Sequence, residues 1–138
     1  IPKRDWSSDV CSSDLSAGLD PADVGHVHAH GLSTRRSDAA EAQAIQEVLG
    51  ARPAPVPVTA AKSYLGNPGA AGGVIELIAS VLALQHNRLF PVLNYEIPDP
   101  QCPVHVVASA DVPPGDAFLS ISVTPTGQAS SLAVRRFI

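Results

Sequence analysis

An α/β domain, a mixed sheet with buried helices, is the fold this sequence predicts. Three observations carry that expectation. Two stretches with helical apolar spacing alternate with short extended runs, the pattern of a layered helix-and-sheet domain. The last three extended runs follow one another with turns and no helix between them, which makes the end of the chain antiparallel. Only 4% of the residues are aromatic while Ala, Val, Leu and Gly abound, a composition for close helix-on-sheet packing.

Residues 24–28 alternate as VGHVH after the Asp20-Pro21 turn and read as a first strand. Ser37 then offers an N-cap, Asp38 and Glu41 are acids in a first turn, and Gly50 follows the last helical residue. These start and stop signals predict a helix over 38–49, with Ala40, Ala44, Ile45, Val48 and Leu49 on one narrow face. Pro53, Pro55 and Pro57 exclude helix and lead into a second strand over 56–61. Residues 69–85 are apolar on nearly all sides, so a helix there is expected to be covered on several sides. Gly72 and Gly73 weaken it by ~1 kcal/mol each, which predicts another backbone or a ligand pressed against them. Residues 91–94 read as extended and 97–100 as a turn. Strands are expected over 104–108, 118–123 and 130–137, with Pro113, Pro114, Gly115 and Asp116 turning between the first two.

The first fifteen residues do not share this patterning. They hold the only Trp, Trp6, and one of two cysteines, Cys11. The stretch DWSSDVCSSDL resembles the translation of a short-read sequencing adapter and is excluded from the fold. The expected organisation is thus an artefact or disordered tail over 1–15 and a domain over 16–138, itself a fragment of a longer protein. Lys3 and Arg4 against Asp5, Asp9 and Asp14 leave the tail at −1 and the remainder at −3 of the total −4. A mildly acidic domain argues against nucleic acid as a partner. With Cys102 the one remaining cysteine, no internal disulfide forms within the domain. No apolar run approaches a membrane span on this reading, so no membrane partner is expected.

Two segments carry chemistry: HAHGLST at 28–34 and KSYLGNPGAAGGVIE at 62–76. They resemble the two active-site segments of the C-terminal half of a β-ketoacyl-[acyl carrier protein] synthase, a family with the thiolase-like fold. That family's first segment reads roughly N-A-H-G-T-S-T, with an aspartate and a glutamate beyond it, and Asp38 and Glu41 stand at those distances. Its second reads K-S-x-x-G-H with a glutamate fourteen residues after the lysine, and Lys62 and Glu76 keep that spacing. PVLNYEIPDPQC resembles a third family stretch, which makes Cys102 a structural cysteine outside the active site. Two positions depart from the family. Asn67 stands where a second histidine is usual, and VTPTGQA at 123–129 replaces a glycine-rich loop that borders the active site.

The resemblance implies a cytoplasmic acyltransferase that performs a decarboxylating Claisen condensation on groups carried by acyl carrier protein. It implies a homo- or heterodimer of ketosynthase subunits, with no cofactor and no metal. The nucleophilic cysteine belongs to the family's other half. His30 and Asn67 are then the catalytic donors to a thioester oxygen, Lys62 a fixed catalytic charge and Glu76 its supporting partner. Related condensing enzymes resemble this arrangement in using Cys-His-Asn, so asparagine retains a donor role. Plainer roles remain open at this point: His30 as a strand-end residue, Lys62 as a surface lysine, Asn67 as a helix N-cap. His26, His28 and His30 alternate and would share one strand face, in the manner of a metal site. The other function that fits is a non-catalytic subunit of chain-length-factor type, paired with an active partner. An acyl-CoA thiolase fits poorly, because residues 130–138 lack its late cysteine.

Overall fold

The computed structural model describes residues 17–137. The tail assigned to 1–15 lies outside the described residues. In chain order the elements are β1 (His26–His28), α1 (Arg35–Leu49), β2 (Pro57–Thr59), α2 (Lys62–Leu65), α3 (Gly72–His86), β3 (His105–Val106), β4 (Ala117–Val123) and β5 (Ala129–Arg135). Single 3-10 turns precede β1 at Pro21–Asp23 and α3 at Gly69–Ala71. The strands form one sheet in the order β3-β2-β1-β4-β5. β1 pairs parallel with both β2 and β4, β2 pairs parallel with β3, and β4 and β5 close an antiparallel hairpin. The sheet is therefore mixed, and its parallel centre is threaded by helices as such sheets require.

Period-two alternation sorts the sheet into two faces. Val27, Val58 and Leu119 point to one side, where Ile45 and Leu49 of α1 complete the main core. His26 and His28 point to the other side, toward α3. Phe118 is fully buried and stacks on His26 with ring centroids 5.0 Å apart.

Several boundaries differ from expectation for local reasons. α1 begins at Arg35, not Asp38, because Thr34 is already in the extended N-cap conformation and its carbonyl takes the Asp38 N–H at 2.9 Å. Ser37 is thus inside the first turn. β1 is shortened at its start by Val24, which ends the 3-10 turn that Asp20 caps. Only His105 and Val106 of the run 104–108 are strand, although the Val107 N–H continues to Val58 O at 2.9 Å. The short helix α2 was not expected; Gly66 closes it with a φ of +71°.

α3 is the largest surprise. Its inward face carries Glu76, Ser80 and Ala83, while Val74, Ile78 and Leu82 are 61%, 52% and 46% exposed. The helix is apolar nearly all round as expected, but one side is open and the buried side holds Glu76 and Ser80. With the preceding 3-10 turn it spans Gly69–His86 at a mean hydropathy of 1.3, which by length and composition is enough to cross a membrane, contrary to the count made on the sequence. The hydrogen bonds of Ser80 and the ion pair of Glu76 tie this same stretch to the sheet. At Gly73 a Cβ would meet Ser122 Oγ at 3.2 Å, and at Gly72 only ordinary contacts, so a side-chain hydroxyl rather than a backbone accounts for the first glycine and nothing here requires the second.

A true backbone contact occurs elsewhere. A Cβ on Gly25 would fall 2.2 Å from Pro114 O and 2.6 Å from Gly115 Cα, and Gly115 itself has a φ of +71°. This crossing brings the Pro114 carbonyl against β1. Gly25→Ala is expected to lower stability by ~2 kcal/mol or more, read as a lower urea midpoint at unchanged m-value. The open stripe on α3 predicts self-association, checked by sedimentation: Ile78→Lys should raise the monomer fraction while leaving the urea midpoint near that of the parent.

Candidate active site

β1 ends at His28, and the parallel ladder continues one step further through Ala29 N–H to Thr59 O at 2.9 Å. The chain then turns sharply at Gly31, whose φ is +52° and where a Cβ would sit 2.9 Å from the Ala60 Cβ. Glu41 holds this turn from α1: its two carboxylate oxygens accept from the N–H groups of His30 at 2.6 Å and Gly31 at 3.0 Å. Burial pushes the Glu41 carboxyl up to about 7, against the opposing pull of those two amides and of Lys62. His30 is thereby presented at the C-terminal end of the central strand by a carboxylate clamp on its own backbone.

Lys62 is the first residue of α2 and reaches back to the same place. Its ammonium donates to His30 O at 2.8 Å, to His30 Nδ1 at 3.2 Å, and to the Glu76 carboxylate. The side chains of Lys62 and Glu76 are 7% and 2% exposed, so this is a buried ion pair. Glu76 comes from the inward face of α3 and also accepts from Ser122 Oγ at 3.5 Å. The Val123 N–H, at the end of β4, approaches His30 Nδ1 at 3.4 Å.

Two donors therefore face Nδ1: an ammonium and a backbone N–H. Neither can accept, so Nδ1 presents its lone pair and the imidazole proton resides on Nε2. Nε2 has no hydrogen-bond partner among the described residues. Burial, and then the Lys62 charge, lower the His30 pKa below its ordinary value, which keeps the ring neutral at physiological pH. The result is a neutral histidine with one free, oriented N–H.

The resemblance places His30, Lys62, Glu76 and Asn67 in one site. The first three meet. Asn67 is exposed, and its Oδ1 accepts from the Gly69 N–H at 3.2 Å within its own turn. The 123–129 segment is a closed hairpin turn, with Gly127 N–H to Thr124 O at 2.9 Å and Thr124 N–H to Gln128 O at 2.8 Å. His26 and His28 share one face as their alternation required, but what they share there is the Ser80 hydroxyl. His30 lies past the strand and is held by Lys62 instead. Among the described residues no cluster of three or more His, Cys, Asp or Glu is placed to hold a metal. Cys102 lines a cavity of about 520 Å³ between α1 and the 92–104 segment, whose wall also includes Glu41 and Lys62. The clamp by Glu41 and the role of Ser80 were missed. Ser80 follows Glu76 by four residues, one helical turn, which is the signal that would have placed it on the same inward face.

The profile of the beta-ketoacyl synthase C-terminal domain matches residues 10–96. The tetracenomycin polyketide synthase ketoacyl synthase alpha subunit of Streptomyces glaucescens is 40% identical over 98 residues, covering 67% of this chain and 23% of that protein. Two solved structures superpose over 96% of this chain at 28% identity. One, described as a type II PKS acyl-carrier protein in complex with its ketosynthase bound to the hexaketide, has a TM-score of 0.90 and is covered to 33%. The other, the ishigamide ketosynthase/chain length factor, has a TM-score of 0.89 and is covered to 32%. This mixed layered sheet with its helices is the ketosynthase version of the thiolase-like fold. The chain belongs to the beta-ketoacyl synthase family and corresponds to its C-terminal domain. It spans about a fifth to a third of the length of the separate ketoacyl synthase subunits it matches, and 1% of the length of the polyketide synthase GfsA of Streptomyces halstedii.

The buried titrating groups predict an unusual acid response. Burial lowers His26 from 6.5 to about 4 and His28 from 6.5 to about 3. Between those values and 6.5 the unfolded chain binds more protons than the folded one, so their contribution is complete above 6.5 and is lost as pH falls. Glu41 runs the other way: raised from 4.5 to about 7, it takes its proton in the folded state and opposes stability as pH rises through that window. Two histidines outweigh one glutamate, so the melting temperature should fall from about pH 6 to about pH 4. Glu41→Gln should steepen that decline in a calorimetric pH series.

Proposed function

We propose that this domain supplies the histidine half of a decarboxylating condensing enzyme. In this reading the complete protein is a cytoplasmic 3-oxoacyl-[acyl carrier protein] synthase that joins malonyl units to an acyl chain held on a cysteine outside the described residues. Its substrates arrive as phosphopantetheine-linked groups on an acyl carrier protein, and it works as a homo- or heterodimer of ketosynthase subunits.

One observation carries the reading: the free Nε2–H of a neutral His30. Loss of carbon dioxide from a malonyl thioester leaves a carbanion whose charge is delocalised onto the thioester oxygen. A fixed N–H donor at that oxygen is what lowers the barrier. Lys62 contributes by occupying Nδ1 and by opposing protonation of the ring, so that the donor keeps both its direction and its neutrality. Glu76 holds Lys62 against His30 and balances its charge. Asn67 is the second donor of this proposal. With Oδ1 engaged by the Gly69 N–H, its Nδ2 hydrogens are the ones left to donate.

A second reading is favoured by the hairpin at 123–129. Thr124 and Gln128 close on each other there, and Val123 N–H is turned to His30 rather than left for an oxyanion. On this reading the protein is a non-catalytic partner of chain-length-factor type.

The test joins this domain to the N-terminal portion of a related ketosynthase that supplies the cysteine. Decarboxylation of malonyl-carrier protein above a cysteine-to-alanine control is expected, and His30→Ala should reduce it by ~100-fold or more. An unchanged rate in His30→Ala removes His30 from the mechanism. A folded, dimerising hybrid with no decarboxylation points to the second reading. Residues 16–138 alone are expected to show no condensation.

A further inference from the structure

Behind the site lies a buried polar chain that the proposed chemistry does not use. His28 Nε2 accepts from the Ala61 N–H at 3.1 Å, and His28 Nδ1 lies 2.7 Å from Ser80 Oγ. Ser80 Oγ in turn lies 3.2 Å from His26 Nε2, and His26 Nδ1 lies 2.8 Å from Pro114 O. His26, His28 and Ser80 are all 0% exposed. The two ends of this chain set every proton in it. A backbone N–H only donates, so His28 Nε2 carries a lone pair and its proton is on Nδ1. That proton goes to Ser80, whose own hydroxyl hydrogen goes to His26 Nε2. The His26 proton then resides on Nδ1 and goes to the Pro114 carbonyl, which only accepts.

We infer that His28 and Ser80 are positioning residues for Lys62, an inference that rests on reading Lys62 and His30 as the working pair. Ala61 is the N-cap of α2 and its N–H has no partner within that helix. Lys62 is the next residue. The bond from His28 thus fastens the start of α2 to β1 from below, while the Lys62 ammonium bonds His30 from above. Ser80 locks the His28 ring in the rotamer and tautomer that this requires. The same residue lies one turn along α3 from Glu76, so a single hydroxyl registers the lysine and the glutamate of the ion pair to one another. Three apolar side chains could fill this space, but they would leave the Ala61 N–H and the Pro114 carbonyl buried and unpaired. What the polar chain adds at the Ala61 end is a fixed position for that amide.

The inference is tested first on the parent chain by long-range imidazole nitrogen spectra. His28 should show a protonated Nδ1 and a bare Nε2; the opposite tautomer overturns the proposal. Three variants then follow. In His28→Gln the longer side chain carries its amide oxygen out to where Nε2 stands and can accept from Ala61, so the Lys62 ammonium should keep slow hydrogen exchange. In His28→Leu and in Ser80→Ala that exchange should quicken and the His30 nitrogen shifts should move. Unchanged Lys62 and His30 signals in a folded His28→Leu or Ser80→Ala chain sink the idea. In the hybrid enzyme Ser80→Ala should lower the decarboxylation rate at saturation by up to ~100-fold with little change in KM, and His28→Gln should restore most of what His28→Leu loses. An inactive parent hybrid would count against the catalytic reading alone, since the spectra still decide whether the chain positions Lys62.

Discussion

The rest of this structure is arranged around one buried ion pair. The charges of Lys62 and Glu76 are nearly sealed from solvent, and a buried charge is tolerated only when it is paired and further hydrogen-bonded. Meeting that condition recruits the sheet and both helices on one of its sides. The end of β1 supplies the His30 carbonyl and ring, β4 supplies Ser122, and the start of α2 and the inward face of α3 supply the pair itself. The sheet order places β1 at the centre, so the pair lies where both helices that follow β2 come back to it.

A second carboxylate does quieter work on the opposite side of the sheet. Glu41 spends its two oxygens on consecutive backbone amides at the His30-Gly31 turn. It therefore acts on the position of the imidazole without touching it. The ring is governed from three directions: its backbone by Glu41, its Nδ1 by Lys62 and Val123, and its protonation state by burial beside a fixed positive charge. Only Nε2 is left uncommitted.

Much of this was legible in the sequence, because spacing along a helix or strand is a local property. The fourteen-residue interval from Lys62 to Glu76 and the position of His30 just past a strand are of that kind, and the three residues do meet. The alternation of His26 and His28 correctly put them on one face, but what they face belongs to α3, fifty residues on, and no local pattern encodes it. α1 started early because loop geometry, not the identity of Ser37, decides where a helix can begin. The direction of α3 was unreadable for a different reason. A helix apolar on nearly every side has little to point it, and Glu76 and Ser80 turned inward to serve the ion pair and the histidines. Asn67 shows the limit most plainly: its place in the motif is sequence information, while its engagement with Gly69 is a property of the turn.

The inside-out helix has a mechanical consequence. The rod that carries Glu76 and Ser80 on its inner side carries Val74, Ile78 and Leu82 on its outer side. The two sides are joined mechanically, because a helix of about four turns moves nearly as a rigid body. The side chains that fix the chemical centre and those that face outward therefore belong to one element, bonded to the sheet on one side and apolar on the other.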